Sequence, residues 1–241
     1  MSINASEPVT ITITIDGGEC VSGLLRVPTD ARACCVLAHG AGAGMSHPFM
    51  AAVADGLAAR SIATLRYQFP YMERGSRRPD TPKVAHAAVR AAVADAARRL
   101  PGMPLFAAGK SFGGRMTSQA QAIEPLAGVL GLAFLGFPLH PAGKPSRERA
   151  VHLSDVRVPM LFLQGTRDEL ADPDLLQAVT AGLGARASLH PCAAADHSFH
   201  VPARSGRTDT EVLGEALDAL AGWIDRCVET PQVGGSLAGS V

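Results

Sequence analysis

The sequence predicts an α/β fold, with a mostly parallel sheet covered by helices on both faces and an antiparallel hairpin at its N-terminal end. Three observations support this prediction. Short apolar runs alternate with helix-compatible stretches along most of the chain, as in successive βαβ units. Residues 9–15 alternate strictly between polar and apolar side chains and precede a turn signal, Asp16-Gly17-Gly18. The 241 residues are 47% hydrophobic, which is enough for a sizeable core.

The strands are predicted from apolar runs bounded by turn residues. Residues 9–15 and 20–27 form the hairpin, and its alternation places it near a sheet edge. Residues 33–38 are continuously apolar, as expected of a strand buried on both faces. The remaining predicted strands are residues 62–66, 105–108, 127–135, 158–163 and 187–190.

The helices are predicted from composition and spacing. Leu213, Leu217, Leu220 and Trp223 repeat at helical intervals in the last helix. The predicted helices are residues 48–60, 84–100, 112–123, 173–182 and 210–228. Residues 67–82 are predicted to be a loop, and residues 137–153 are predicted to be irregular. Fewer than 25 residues separate the strands at 127–135 and 158–163, so no large cap is expected.

One domain is predicted over residues 1–228, followed by a flexible Gly- and Ser-rich tail at 229–241. Acidic and basic residues number 22 each, which argues against nucleic acid or a membrane surface as a partner. No stretch is long and apolar enough to span a bilayer. The five cysteines fit neither a disulfide framework nor a zinc site, and no metal or cofactor is expected. Free thiols and the absence of a signal-peptide pattern predict a cytoplasmic protein, with a homo-oligomer left open.

The most informative segment is GKSFGGR at residues 109–115, between the predicted strand 105–108 and helix 112–123. A serine between glycines at such a junction is typical of the nucleophile elbow G-x-S-x-G. The glycines allow a tight turn that pushes the Ser111 hydroxyl clear of the backbone, at a helix N-terminus where negative charge is favoured. A phosphate-binding G-x-x-x-x-G-K-S loop is excluded because Pro104 occupies its first glycine position. A purely structural turn is the other interpretation.

A serine nucleophile needs a general base and a third group that orients this base. Asp168 follows the predicted strand 158–163, at the sheet edge where open α/β sheets bind ligands. The alternative acids are more typical of helix N-terminal caps: Glu169, Asp172 and Asp174. Two histidines follow the last predicted strand. His197 is the preferred base and His200 the alternative.

Two backbone N–H groups are predicted to stabilise an oxyanion. One belongs to Phe112, directly after the serine. The other belongs to Ala41 in the loop HGAGAG at residues 39–44, with Gly40 or Gly42 as alternatives. His39 is expected to order this loop. Eight side chains at the same edge are candidates for an acyl pocket, with core packing as the alternative for each: Met45, Phe49, Tyr67, Phe69, Tyr71, Phe137, Leu139 and Phe199.

Four segments resemble those of the α/β-hydrolase superfamily: HGAG at 39–42, RYQFPY at 66–71, GKSFGGR at 109–115 and QGTRD at 164–168. The resemblance covers roughly residues 8–228. It is strongest to small, lidless members related to dienelactone hydrolases, in the branch that includes testis-expressed protein 30-like and NSL-complex subunit 3-like hydrolases. The resemblance implies a catalytic triad of Ser111, Asp168 and His197. Dienelactone hydrolases proper use a cysteine nucleophile, so Ser111 departs from them.

The expected function is that of a serine hydrolase that cleaves a small-molecule acyl ester or thioester through a covalent acyl-enzyme. Without a long cap, short or medium acyl chains are expected. A binding or scaffold protein on the same fold is the alternative from another class, since the branch includes members thought to act as interaction subunits. An acyltransferase or peptidase with the same triad is a third candidate.

Overall fold

The computed structural model describes residues 7–229, and these residues form an eight-stranded sheet flanked by helices. The predicted tail lies almost entirely outside the described residues. The strands, in chain order, are β1 (Val9–Thr14), β2 (Cys20–Arg26), β3 (Ala33–Ala38), β4 (Ile62–Tyr67), β5 (Leu105–Lys110), β6 (Val129–Leu135), β7 (Met160–Gly165) and β8 (Ala187–Cys192). Every predicted strand is therefore present, with ends that shift by one or two residues.

Residues 7–229 contain six α-helices, five between strands and one after β8: α1 (Pro48–Ala58), α2 (Pro70–Glu73), α3 (Pro82–Arg99), α4 (Phe112–Ile123), α5 (Pro173–Leu183) and α6 (Asp209–Glu229). Two segments predicted to lack regular structure contain helical turns, and both predictions are corrected. Short α2 lies within 67–82, where Pro70 suits the first turn because its missing N–H is not needed there. A 3₁₀-helix spans Glu148–Asp155. Within residues 7–229, no helix is long and apolar enough to cross a membrane.

The strand order is β1-β2-β4-β3-β5-β6-β7-β8. The β1–β2 and β2–β4 pairs are antiparallel, and every pair from β4 to β8 is parallel. Every residue of β3, β4 and β7 is buried, and the sequence of β3 is accordingly apolar throughout. The predicted parallel sheet with an antiparallel N-terminal hairpin is confirmed.

Helices cover both faces of this sheet and create two apolar cores. On one face, α3, α4 and α5 contribute side chains such as Val89, Met116 and Leu176. On the other face, α1 and α6 contribute side chains such as Leu57 and Trp223. Burying each such side chain stabilises the fold by roughly 1.5–3 kcal/mol.

Parallel pairing brings the carboxyl ends of β3, β5, β7 and β8 to one edge of the sheet. The loops that follow these strands therefore converge there, as in other open α/β sheets. The connection between β6 and β7, residues 136–159, contains only the 3₁₀-helix and no cap. This edge remains open to solvent, as the short connection predicted.

Candidate active site

Ser111 lies in a sharp turn between β5 and α4. Its backbone adopts φ 51° and ψ −115°, a strained conformation for a residue with a side chain. A Cβ on Gly109 would lie 2.3 Å from the Gly114 nitrogen, and one on Gly113 would lie 2.5 Å from the Ala38 oxygen of β3. Only glycine fits these two positions, so the tight turn predicted from GKSFGGR is present.

His197 lies in the loop that follows β8, residues 193–202, here called the histidine loop. Its Nε2 is 2.8 Å from Ser111 Oγ, and its Nδ1 is 2.7 Å from Asp168 Oδ2. The imidazole is about a quarter exposed, whereas the Asp168 side chain is fully buried. The structure therefore brings the three predicted residues into one hydrogen-bonded array that opens to solvent at the serine.

Asp168 is held by donors on both of its oxygens. Gln164 Nε2 donates to Oδ2 over 2.5 Å, and the Leu170 N–H donates to Oδ1 over 2.8 Å. Gln164, at the end of β7, also accepts the Phe137 N–H through Oε1 at 2.8 Å. These contacts fix the carboxylate in one orientation. Gln164 was not expected at the site from the sequence, although it lies in the QGTRD segment.

The array selects one tautomer of His197. A carboxylate only accepts hydrogen bonds, so Nδ1 carries the proton that it donates to Asp168. Nε2 is then free to accept the Ser111 hydroxyl proton. This arrangement can remove a proton from a serine and stabilise the imidazolium that forms.

His200, the alternative base, lies elsewhere. Its Nδ1 is 3.0 Å from Asp209 Oδ2 at the start of α6, and this exposed pair raises the pKa of His200. Asp196 accepts the N–H groups of Ser198 and His200 and so shapes the histidine loop.

The predicted oxyanion donors lie beside Ser111. Phe112 is the first residue of α4, so its N–H has no acceptor within the helix. The Gly42 N–H donates to the Tyr71 hydroxyl at 3.0 Å, which removes Gly42 as an alternative. Ala41 lines the cavity that contains Ser111, as does Gly40. This placement favours Ala41 or Gly40 as the second donor.

His39 orders this loop, as the sequence predicted. Its Nδ1 is 2.8 Å from the Gly40 carbonyl oxygen, and its Nε2 accepts the Phe69 N–H at 3.1 Å. Burial lowers the pKa of His39 to about 4, so the ring is neutral at pH 7. The ring joins the glycine loop to the segment after β4.

A cavity of about 320 Å³ opens beside Ser111. Its wall is mostly apolar, with polar groups near the serine. The lining residues are Gly40, Ala41, Ala43, His47, Phe49, Met50, Lys110, Ser111, Leu170, His197 and Ser198. Leu170 and Met50 were not expected from the sequence, because their places in a loop and a helix turn gave no sign that they face a ligand.

Most of the predicted pocket side chains do not line this cavity, and those predictions are corrected. Five of them are fully or almost fully buried in the core with α3, α4 and α5: Tyr67, Phe69, Tyr71, Phe137 and Leu139. Phe199 is buried in the opposite core, behind Phe49, with ring centroids 5.4 Å apart. Met45 is half-buried and donates its N–H to Gln68. Only Phe49 lines the cavity. The aromatic side chains at the ends of β4 and β6 point inward, and their large apolar surfaces fill the core there.

Lys110 also lines the cavity, and the sequence gave it no role. Its Nζ donates to the His197 carbonyl oxygen at 2.5 Å. It lies 5.7 Å from the centre of the Phe49 ring and 5.5 Å from that of Phe199. Burial lowers the pKa of Lys110 to about 8, although Asp168 and Asp196 oppose this shift.

A second serine–histidine contact lies away from this cavity. Ser118 Oγ on α4 is 2.8 Å from His152 Nε2 in the 3₁₀-helix, but Ser118 is fully buried and also donates to the Arg115 carbonyl oxygen. Within residues 7–229, no cluster of three or more histidine, cysteine or acidic residues could hold a metal ion. The cavity beside Ser111 is therefore the candidate site.

Residues 31–225 match the family described as alpha/beta hydrolase domain. The chain belongs to this alpha/beta hydrolase family. The match spans both the Ser111 turn and the histidine loop, so the array described above lies inside the hydrolase domain.

Solved structures share the alpha/beta hydrolase fold at low sequence identity. A lidless serine hydrolase from Xanthomonas campestris is 20% identical, with a TM-score of 0.67, covering 92% of this chain and 94% of that one. A dienelactone hydrolase from Anabaena variabilis is 18% identical, with a TM-score of 0.74 and coverage of 92% and 98%. An esterase domain from Rhodothermus marinus is 17% identical, with a TM-score of 0.70 and coverage of 92% and 99%. These likenesses show a lidless alpha/beta hydrolase fold.

Proposed function

We propose that this hydrolase cleaves small acyl esters or thioesters with Ser111 as nucleophile, His197 as general base and Asp168 as the group that orients His197. The observation that carries the proposal is the continuous array from Ser111 Oγ through His197 to the buried Asp168, at distances of 2.8 and 2.7 Å. It opens into a cavity that a small substrate can enter.

In acylation, His197 Nε2 takes the hydroxyl proton as Ser111 Oγ forms a bond to the acyl carbon. The tetrahedral intermediate collapses, the bond to the leaving oxygen or sulfur breaks, and His197 returns its proton to that atom. In deacylation, a water molecule loses its proton to His197 and attacks the acyl-enzyme. The acid is then released, and Ser111 recovers its proton.

The negative charge on the carbonyl oxygen is held by the backbone N–H groups of Phe112 and Ala41. The Phe112 N–H also lies at the positive end of α4, which favours a developing anion. Loss of one such donor typically lowers kcat by about 10²–10³-fold. The Gly40 N–H is the alternative to that of Ala41.

The cavity favours short or medium acyl groups. Its volume of about 320 Å³ lies at the lower end of the range for small-molecule sites, and its wall is mainly apolar. Hydrolysis of long-chain esters in preference to short ones would contradict this part of the proposal. Esters and thioesters differ only in the leaving atom, so both belong in the same substrate panel.

Labelling with a fluorophosphonate probe tests the nucleophile, because the probe bonds covalently to an activated serine. The unmodified protein should be labelled at Ser111, and Ser111→Ala should not be labelled at all. A panel of p-nitrophenyl esters and acyl thioesters then defines the substrate. A protein that is neither labelled nor active on any member would be better described as a binding protein on a hydrolase fold. Addition of alcohol or amine acceptors would reveal acyl transfer.

We place the chain, as part of the same proposal, in the lidless branch that includes the testis-expressed protein 30-like and NSL-complex subunit 3-like hydrolases. The segments at 39–42 and 109–115 support this placement. Five free cysteines, three of them buried, support a reducing compartment such as the cytoplasm.

A further inference from the structure

Lys110 is a partly buried cation beside the proposed nucleophile. The chain contains three lysines, of which Lys83 and Lys144 are exposed. The Lys110 ammonium instead lies among Phe49, Phe199 and the histidine loop. Removing a cation from water costs free energy unless neighbouring groups compensate it, so the contacts of this ammonium bear on its role.

The contacts of Lys110 join two parts of the site. Lys110 is the last residue of β5 and directly precedes Ser111. Its ammonium donates to the backbone oxygen of His197. His197 is thus held at three atoms: Nδ1 by Asp168, Nε2 by Ser111 and the carbonyl oxygen by Lys110. The first two contacts hold the ring, and the third holds the backbone that carries the ring.

Gly136 leaves room for this contact because it has no side chain. A Cβ on Gly136, which adopts φ 72°, would lie 3.0 Å from Lys110 Nζ and 3.4 Å from His197 Nδ1. The two aromatic rings flank the ammonium at distances suited to cation–π attraction. Asp168 and Asp196 face the same ammonium and favour its charged form.

We propose that Lys110 is a positioning residue that ties the Ser111 turn to the histidine loop through the His197 carbonyl and so keeps the imidazole in line with the serine. This inference rests on the function proposed above. The Lys110 side chain acts through His197 and takes no part in bond making. A displacement of about 1 Å in a reacting group can lower a rate about 10²-fold, so one backbone contact of this kind can control kcat.

Lys110→Met tests the inference, because methionine is unbranched and apolar but lacks the charge and the donor. We expect kcat on a p-nitrophenyl ester to fall about 10- to 100-fold, with KM within about threefold of the unmodified protein. The melting temperature should stay level or rise, because an apolar group replaces a partly buried cation. Lys110→Arg should be at least threefold more active than Lys110→Met. Lys83→Met is the matched control and should change nothing.

The pH profile gives a second readout. The groups that face the ammonium are Asp168, Asp196 and His197. Since the Lys110 pKa lies near 8, kcat should fall as pH rises through this value and the cation is lost. Lys110→Met should lack this step, and Lys110→Arg should shift it to higher pH.

Two results would overturn the inference. One is a Lys110→Met kcat within twofold of the unmodified protein. The other is a fall in kcat together with a fall in melting temperature while the alkaline step persists, which would make Lys110 a structural residue. Fluorophosphonate labelling of the unmodified protein separates these failures from failure of the proposed function. Labelling at Ser111 followed by equally fast labelling of Lys110→Met would reject only the role of Lys110.

Discussion

Two serine–histidine contacts of equal length occur within residues 7–229, and their surroundings differ. Ser111 Oγ and Ser118 Oγ each lie 2.8 Å from a histidine Nε2, and both serines belong to the α4 region. Ser111 has strained backbone angles, an open cavity and a histidine bonded to a carboxylate. Ser118 lies inside the helix and is fully buried. A short serine–histidine distance alone therefore does not distinguish a nucleophile from a packing contact.

His152 and His197 also differ in the groups that surround their rings. Burial lowers the pKa of His152 to about 4, and nearby Arg115 acts in the same direction. Asp155 acts on His152 through space, whereas Asp168 accepts a hydrogen bond from His197. An imidazole that resists protonation is a poor base, so the second contact suits packing rather than catalysis.

The largest expected effect separates the two serines. Ser111→Ala should lower kcat/KM by about 10⁴-fold or more, because the nucleophile is lost. Ser118→Ala should leave kcat/KM within threefold and lower the free energy of unfolding by about 1 kcal/mol, because it leaves the partly buried His152 ring without this partner. Ester hydrolysis and urea unfolding measure the two quantities. Equal losses of activity in both variants would remove the distinction.

The next effect separates the two acids. Asp168→Asn should lower kcat about 10³-fold or more, because an amide no longer holds the productive tautomer of His197. Asp155→Asn, beside His152, should have activity within twofold of the unmodified protein. Steady-state kinetics at pH 7 measures the activities of both variants. Near-normal activity of Asp168→Asn would argue that another group orients His197.

A smaller effect is expected at Gln164, which holds Asp168. Gln164→Ala should lower kcat about tenfold, because the carboxylate loses one donor and becomes less firmly oriented. Gln121→Ala is the matched control, since Gln121 is also buried and also accepts a backbone N–H, that of Leu126. Both variants should lose stability, but only the first should lose activity. Parallel activity losses would show that kcat follows stability alone.

The smallest effect concerns pH and His152. Its folded pKa of about 4 lies below the unfolded value near 6.5, so the unfolded chain binds more protons between these values. Stability should therefore fall as pH drops from about 6.5 to about 4. The contribution is of the order of 1 kcal/mol, reduced because the ring is partly exposed. His39 contributes in the same direction. His152→Gln should flatten the slope in urea unfolding from pH 4 to 7, and an unchanged slope would count against the assignment.

Much of the fold and part of the site could be predicted because both follow from short-range patterns. The continuous apolar run of β3 needs burial on both faces, and this requirement alone favours a parallel sheet. Residues at the ends of β5 and β7 then share one edge whatever the details of packing. This rule placed Ser111 and Asp168 correctly relative to each other.

The remaining features of the site depend on side-chain contacts that the sequence does not reveal. Tyr67 ends β4 and Phe69 follows it at the functional edge, yet both turn into the core. Phe69 packs there against Tyr67, His39 and Phe112. Whether an aromatic side chain turns inward or toward a ligand is decided by the shape of the remaining space. Lys110 similarly gives no sign in the sequence of where its ammonium points. Its partner, the carbonyl of His197, is 87 residues away.

The strand order has a consequence for when enzymatic activity appears during folding. Ser111 follows β5, whereas His197 follows β8, at the far end of the parallel ladder. The contact between Ser111 and His197 joins residues 86 positions apart, and such non-local contacts form late and slowly because they close a long stretch of chain. A nascent or refolding chain can therefore carry a formed serine turn while it lacks its base. The appearance of esterase activity during refolding would mark the moment when the last strand docks.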